Sequence, residues 1–303
     1  MYLRYIKYMY IMLVEVIKML KDNYLSVLQF QLKFDIICHK DKDTLVVNKE
    51  YEDQITRSIE VIKKLKPDIC VFPEMTYQTK FDDIFKELSK GGNLIVFGST
   101  YVESVNKTQV YYNGELTSIT KRYPCGSEPM VRFTKKVSVD EFIKKYLNEH
   151  EFLVKGKKVY VLNCLEYYQV AYVIARDYQL SKNLFGFIVP CSNSNPKVFM
   201  DESRAIHNHN ENIYSFVCNR IKKDGTVGYG RSYVFGPIQY HEKDWLKEEG
   251  INSDDHNASI LNLDSSTISY AYGKYAKAEL ISRFGRSDNY INTPKDVQVK
   301  KLI

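Results

Sequence analysis

Residues 159–166 read Val-Tyr-Val-Leu-Asn-Cys-Leu-Glu, a short apolar run that leads directly into a cysteine. Four consecutive apolar residues predict a strand that is buried on both faces, as in a sheet covered by other layers. The residues that follow, 167–179, have helical periodicity. The Cys164 thiol is therefore expected at the carboxyl end of a strand, where α/β sheets gather their ligands.

Apolar strands and amphipathic helices alternate on both sides of this stretch. Strands are predicted at residues 25–30, 69–72, 94–102, 110–112, 116–121, 185–189, 213–218, 232–235 and 258–263. Helices are predicted at residues 51–65, 81–88, 139–147 and 201–212. Between two of the strands, Asn113-Gly114 is a strong hairpin signal. This order predicts an α/β layer fold with mixed sheets.

The composition is that of a soluble globular protein rather than a nucleic-acid-binding or metal-dependent one. Of the 303 residues, 44% are hydrophobic and 26% are charged, and the net charge of +6 is spread along the chain. Without a clustered basic stripe, no nucleic-acid partner is expected. The six cysteines include no Cys-x-x-Cys pair, so neither a zinc site nor any other metal is predicted.

The first 23 residues differ from the rest and predict an amphipathic helix ahead of one domain at 24–303, which includes a C-terminal tail. Glu15 and Lys18 interrupt the apolar run, so we expect neither an export signal nor a membrane span, and a cytoplasmic location. The apolar stripe of this helix favours docking on the domain or on a second copy. A membrane-surface or partner-binding role stays open.

Three reactive side chains of complementary chemistry follow predicted strands. Glu74 comes after Val71-Phe72-Pro73, Lys121 closes the hairpin, and Cys164 ends the quoted stretch. A carboxylate can accept a thiol proton, and an ammonium stabilises a thiolate or an oxyanion, so the three suffice for acyl transfer without metal or cofactor. On spacing alone, a cysteine at a strand end is more often a small buried residue.

The local sequences around these residues resemble the nitrilase superfamily, whose carbon–nitrogen hydrolases use a Glu-Lys-Cys triad. Eight short pieces resemble family motifs in the right order, at residues 25–31, 67–74, 98–99, 106–121, 159–166, 188–192, 204–220 and 230–237. The resemblance covers about residues 25 to 270. Leu165 and Tyr167-Tyr168-Gln169 depart from the residues common after the nucleophile, which leaves the substrate open.

The resemblance implies a fold and a set of roles. The fold would be a four-layer α-β-β-α sandwich. Cys164 would be the nucleophile, Glu74 the general base and Lys121 the cationic partner, with Glu128 as a second catalytic glutamate. Leu165, through its backbone N–H, and Glu166 would form the oxyanion and substrate-binding region directly after the nucleophile.

The implied function is hydrolysis of a non-peptide carbon–nitrogen bond through a cysteine thioester. The expected partners are a small-molecule amide, carbamoyl compound or nitrile and a second copy of the chain, in a homodimer or higher homo-oligomer. A nitrilase or N-acyl transferase with the same triad stays open, and so does a non-catalytic module within a larger assembly.

Overall fold

The computed structural model describes residues 24–38, 43–102, 105–124, 137–209, 213–222, 229–236, 259–264, 266–276 and 295–302 of the chain. The predicted N-terminal helix and Glu128 lie outside these residues.

The first part of the chain builds most of one sheet. Its elements are β1 (Tyr24–Gln31), β2 (Lys33–Phe34), β3 (Ile36–Cys38), β4 (Asp43–Leu45), α1 (Lys49–Leu65), β5 (Ile69–Phe72), α2 (Asp82–Ser89), β6 (Leu94–Val102), β7 (Val105–Tyr112) and β8 (Glu115–Thr120).

The second part builds another sheet and then returns to the first. Its elements are α3 (Val139–Lys145), β9 (Glu151–Val154), β10 (Lys157–Val161), α4 (Leu165–Arg176), α5 (Tyr178–Ser181), β11 (Leu184–Cys191), α6 (Pro196–His209), β12 (Tyr214–Asn219), β13 (Ile221–Lys222), β14 (Tyr233–Phe235), β15 (Ser259–Asn262), β16 (Ser269–Ala276) and β17 (Lys295–Lys301).

Within the described residues, two large sheets dominate. The seven-stranded sheet has the order β17-β16-β1-β5-β6-β7-β8, and the six-stranded sheet has the order β15-β14-β12-β11-β10-β9. Parallel pairs occupy the centre of each sheet, β1–β5–β6 in one and β10–β11–β12 in the other, with antiparallel strands outside them. Both sheets are therefore mixed, as predicted.

Three hydrophobic clusters separate four layers. One cluster lies between the sheets and joins residues such as Val71 and Val96 to Val159 and Phe216. A second packs α1 and α2 on the outer face of the seven-stranded sheet, and a third packs α4 and α6 on the outer face of the six-stranded sheet. Since the side chains of a strand alternate between its faces, each central strand contributes side chains to two clusters. This confirms the predicted α-β-β-α sandwich.

Helix α1 shows how the sequence sets the outer layers. The Asn48 side chain accepts a hydrogen bond from the Tyr51 backbone N–H at 2.9 Å and caps the first turn. Ile55, Ile59 and Ile62 are buried on one face. The helix ends at Lys66, which has a left-handed backbone (φ 47°), directly before Pro67.

The prediction missed part of the seven-stranded sheet. The last predicted strand lies at residues 258–263. The structure has two further strands after it, β16 and β17. β17 reads Lys-Asp-Val-Gln-Val-Lys-Lys and lies at the sheet edge, where such polar residues are tolerated but give a weak strand signal. Helix α6 also begins earlier than predicted, at Pro196, which suits the first turn of a helix.

Candidate active site

Cys164 lies in a sharp turn between β10 and α4. Beyond β10, the backbone N–H groups of Leu162 and Cys164 donate to the carbonyls of Ile188 and Pro190 at 3.0 and 2.9 Å, so pairing with β11 continues up to the cysteine. Cys164 then takes φ 50° and ψ −111°, a conformation that costs energy for any residue except glycine. Its side chain is largely buried, and helix α4 begins at the next residue.

Glu74 leaves the other sheet in a similarly constrained turn. It follows β5 and Pro73, and the next residue, Met75, has φ 65°. The Glu74 N–H donates to the Cys191 carbonyl at 3.3 Å, which ties the end of β5 to the end of β11 in the opposite sheet. The Glu74 side chain is therefore held where the C-terminal end of β5 in one sheet meets the C-terminal end of β11 in the other.

Gly98 permits this close approach. A Cβ added at Gly98 would lie 2.6 Å from the Glu74 Cα and N atoms and 2.7 Å from the Pro190 Cβ. Two of these three contacts are with backbone, which cannot rotate away as a side chain can. The position therefore requires glycine for steric reasons.

Replacing Gly98 with alanine is expected to move Glu74 and to lower the free energy of unfolding by about 1–3 kcal/mol. The predicted enzymatic rate should fall as well. Thermal denaturation and turnover measurements check this, with Gly91→Ala as the control, because a Cβ there meets only the Asn93 side-chain oxygen, at 3.1 Å. Equal stability of the two variants would contradict the proposed packing.

Three donors converge on one oxygen of Glu74. The Lys121 Nζ lies 2.9 Å from the Glu74 Oε1, and both side chains are almost fully buried. The Ser99 hydroxyl donates to the same oxygen at 2.7 Å, and the Asn163 Nδ2 donates to it at 3.1 Å. Since Asn163 directly precedes Cys164, the acid–ammonium pair is fixed to the turn that presents the thiol.

The Glu166 side chain is buried next to the same residues. Its two carboxylate oxygens accept from the backbone N–H of Arg122 at 2.6 Å and of Asn163 at 3.1 Å. Burial raises the pKa of Glu166, while the charge of His150 and these backbone N–H groups act in the opposite direction. Glu166 therefore bridges the residues next to Lys121 and Cys164. Glu166 is not among the described residues that line the adjoining cavity. Whether it positions Lys121 and Cys164 or contacts the substrate stays a prediction.

The variant Glu166→Gln tests this positioning role. The amide has one acceptor oxygen in place of two, so one backbone N–H should lose its partner at a cost of about 1–3 kcal/mol in unfolding free energy. Misplacement of Cys164 should lower kcat by roughly 10- to 100-fold, with KM little changed.

Glu149→Gln is the control, because that exposed carboxylate only reaches the Arg122 guanidinium, at 3.9 Å. A rise in KM without loss of kcat would instead indicate that Glu166 contacts the substrate.

Glu74 and Cys164 open onto one cavity of ≈ 590 Å³. Leu165 also lines it, and as the first residue of α4 its backbone N–H has no acceptor within the helix. The remaining wall combines polar, aromatic and aliphatic side chains: Asp35, Ile36, Met75, Tyr101, Asn106, Tyr168, Ser192, Asn193, Ser194, Asn195, Val198, Phe199, Arg220, Lys222 and Tyr229. Lys121 contacts Glu74 without lining the cavity.

Asn219 and Arg220 hold the part of the cavity wall that contains Ser192 and Asn193. The Asn219 side chain donates to the carbonyls of Asn193 and Gly230, both at 2.9 Å. The Arg220 guanidinium donates to the Ser192 hydroxyl at 2.6 Å and lies 4.8 Å from the centre of the Tyr229 ring. These contacts fix the loop that follows β11 against the end of β12.

The structure brings most of the candidate residues together, and their catalytic roles stay predictions. Glu74 and Lys121 are in contact, Asn163 links them to Cys164, and Leu165 lies at the cavity. Glu128 lies outside the described residues and stays a prediction. Sequence reasoning missed Ser99 and Asn163 as partners of Glu74, although Asn163 stands directly before the nucleophile.

Among the described residues, no group of three or more His, Cys, Asp or Glu side chains is placed to hold a metal ion.

The chain has similarity to a known protein at the level of its structure. No protein-family model and no curated protein sequence matches the chain. The crystal structure of Saccharomyces cerevisiae Nit3, a member of branch 10 of the nitrilase superfamily, is similar over 71% of this chain and 83% of Nit3. The identity is 14% and the TM-score is 0.45.

Proposed function

We propose that the protein hydrolyses a non-peptide carbon–nitrogen bond, in an amide or carbamoyl group of a small molecule, through a thioester on Cys164. The observation that carries this proposal is the buried Glu74–Lys121 pair, fixed through Asn163 to a strained cysteine turn. Glu74 and Cys164 share the cavity wall, so a carboxylate and a thiol face the same bound molecule. The motif resemblance at these positions supports the same chemistry.

In the first half of the reaction, Glu74 accepts the proton of the Cys164 thiol. The thiolate attacks the carbonyl carbon and forms a carbon–sulfur bond, while negative charge develops on the carbonyl oxygen. The Leu165 backbone N–H donates to that oxygen, and the Lys121 ammonium stabilises the charge from behind the cavity wall. Glu74 then gives its proton to the leaving nitrogen, the carbon–nitrogen bond breaks, and an amine or ammonia departs.

In the second half, water enters the vacated part of the cavity. Glu74 removes a proton from the water as it attacks the thioester carbon, and the carbon–sulfur bond breaks. The acid product leaves, and the proton returns to Cys164. Glu74 thus alternates between base and acid, while Lys121 balances its charge in a site with little water.

The cavity favours a small polar substrate. Its volume lies in the usual range for small-molecule sites, about 300–1,000 Å³. Asp35, Arg220 and Lys222 bring charges of both signs to its wall, together with hydroxyl and amide groups from residues 192–195. A substrate with hydrogen-bonding groups can interact with these side chains, whereas a purely apolar acyl chain cannot. We therefore expect substrates with hydrogen-bonding groups beyond the scissile bond.

A substrate panel tests the proposed function. The purified full chain should release ammonia or amine from some polar primary amides or carbamoyl compounds, measured by a coupled ammonia assay and by mass spectrometry of the products. Adding hydroxylamine to the reaction tests for the acyl intermediate, since hydroxylamine converts the thioester to a hydroxamate in place of the acid.

Preferential conversion of nitriles would replace the amide assignment by a nitrilase. Failure of every amide, carbamoyl compound and nitrile to react would favour a non-catalytic module.

Two further expectations belong to the same proposal. We retain a homodimer or higher homo-oligomer and a cytoplasmic location. Among the described residues, no helix has the length and apolar character needed to cross a membrane.

A further inference from the structure

A second cysteine, Cys191, lies beside the proposed nucleophile. β10 and β11 are parallel, with Val161 opposite Ile188. The hydrogen bonds from Leu162 to Ile188 and from Cys164 to Pro190 continue this register past the end of β10. Cys164 therefore lies laterally opposite Cys191, the last residue of β11.

This placement suits a disulfide bond. Paired strands lie about 4.8 Å apart, and the Cα atoms of a disulfide are usually about 4.4–6.8 Å apart. The backbone hydrogen bond from Cys164 to Pro190 brings Cys164 next to Cys191, and both residues are free, largely buried thiols.

The two thiols differ in access, and burial disfavours ionisation of Cys191. Cys164 lines the cavity, whereas Cys191 is buried behind it. Burial raises the pKa of Cys191 well above its usual value, and the contact with Cys164 raises it further. Cys191 is therefore a poor first target for an oxidant. The Cys164 thiol is accessible from the cavity, and the Glu74 carboxylate at the same cavity can accept its proton.

We propose that Cys164 and Cys191 form a reversible disulfide when hydrogen peroxide enters the cavity. The Cys164 thiolate, whose proton Glu74 has accepted, attacks one peroxide oxygen, the O–O bond breaks, and the departing hydroxide takes that proton from Glu74 to give water. Cys164 is then a sulfenic acid. The Cys191 sulfur attacks the Cys164 sulfur, the S–S bond forms, the S–O bond breaks, and hydroxide leaves with the Cys191 proton as water.

The consequence is reversible inactivation. While the disulfide is present, the Cys164 sulfur cannot attack the substrate. Reduction by a dithiol restores both thiols. It also shields Cys164 from oxidation to the sulfinic and sulfonic acids, which are irreversible without a dedicated repair enzyme. Cys191 would thus act as a resolving cysteine next to the active site.

Peptide mapping of the full chain tests the disulfide directly. After treatment with hydrogen peroxide and alkylation of free thiols, the wild-type protein should yield a Cys164–Cys191 cross-linked peptide lighter by two hydrogen atoms, which dithiothreitol removes. This measurement needs no substrate, so its outcome is independent of whether the proposed hydrolysis is observed.

Two variants complete the test. In Cys191→Ala, peroxide should leave Cys164 as sulfinic or sulfonic acid that dithiothreitol does not reverse. Cys218→Ala is the matched control, since Cys218 is also buried nearby but donates to the Phe30 carbonyl at 2.9 Å. That control should form the cross-link as the wild type does. Absence of the Cys164–Cys191 peptide, or full recovery of Cys164 in Cys191→Ala, overturns the proposal.

Discussion

Replacing Cys164 with alanine is expected to lower the turnover number by roughly 10⁴- to 10⁶-fold, as loss of a covalent nucleophile does in other enzymes. The proposed route has no second group to form the acyl intermediate, because Glu74 and Lys121 serve proton transfer and charge stabilisation. The fold should survive, since alanine occupies less space in the same turn and meets the same backbone strain at φ 50°.

Turnover of Cys164→Ala is measured on whichever substrate the panel identifies, with circular dichroism to verify folding. Cys70→Ala is the control, because Cys70 is equally buried but belongs to the hydrophobic cluster that packs against α1 and α2. Retained hydrolysis in Cys164→Ala, or an equal loss in Cys70→Ala, would contradict the assignment of the nucleophile.

Replacing Lys121 with methionine is expected to have the largest effect on stability. Methionine nearly matches the length of lysine but removes the ammonium that contacts Glu74 at 2.9 Å in a buried site. A buried charge that loses its partner typically costs about 3–5 kcal/mol. Turnover should also fall, since the developing oxyanion loses its cation and Glu74 loses a contact that fixes its position.

Chemical denaturation measures this loss, and Lys145→Met is the matched control. Lys145 pairs with Glu141 at 3.0 Å but is well exposed, and such surface pairs contribute little to stability. The double variant Glu74→Gln/Lys121→Met should recover part of the stability, because no unpaired charge remains. If Lys121→Met were no less stable than Lys145→Met, the buried pair would not have the role assigned to it.

The sequence was informative where chemistry follows a strong local signal. Apolar runs before Glu74 and Cys164 identify buried strands, and Asn113-Gly114 places the hairpin that ends next to Lys121. Asn113 and Gly114 have φ 54° and 82°, as a tight two-residue turn requires. Because each strand end is a local property, the three residues were found without knowledge of the sheet order.

The contacts that complete the site are not local. Ser99 and Asn163 reach Glu74 across 25 and 89 residues of sequence, and Glu166 reaches the Arg122 backbone across 44. Such pairs depend on the strand order within a sheet and on how the two sheets pack, which no window of sequence encodes. The lateral pairing of Cys164 with Cys191 has the same origin, because it follows from the β10–β11 register.

Rapid-quench mass spectrometry with a reactive amide tests the central claim most directly. A reaction stopped during turnover should contain protein heavier by the acyl group of the substrate, and peptide mapping should place that group on Cys164. The adduct should decay at the rate of product formation and should be absent from Cys164→Ala. Hydrolysis that proceeds with no acyl adduct on Cys164, or with the adduct on another residue, would contradict the account.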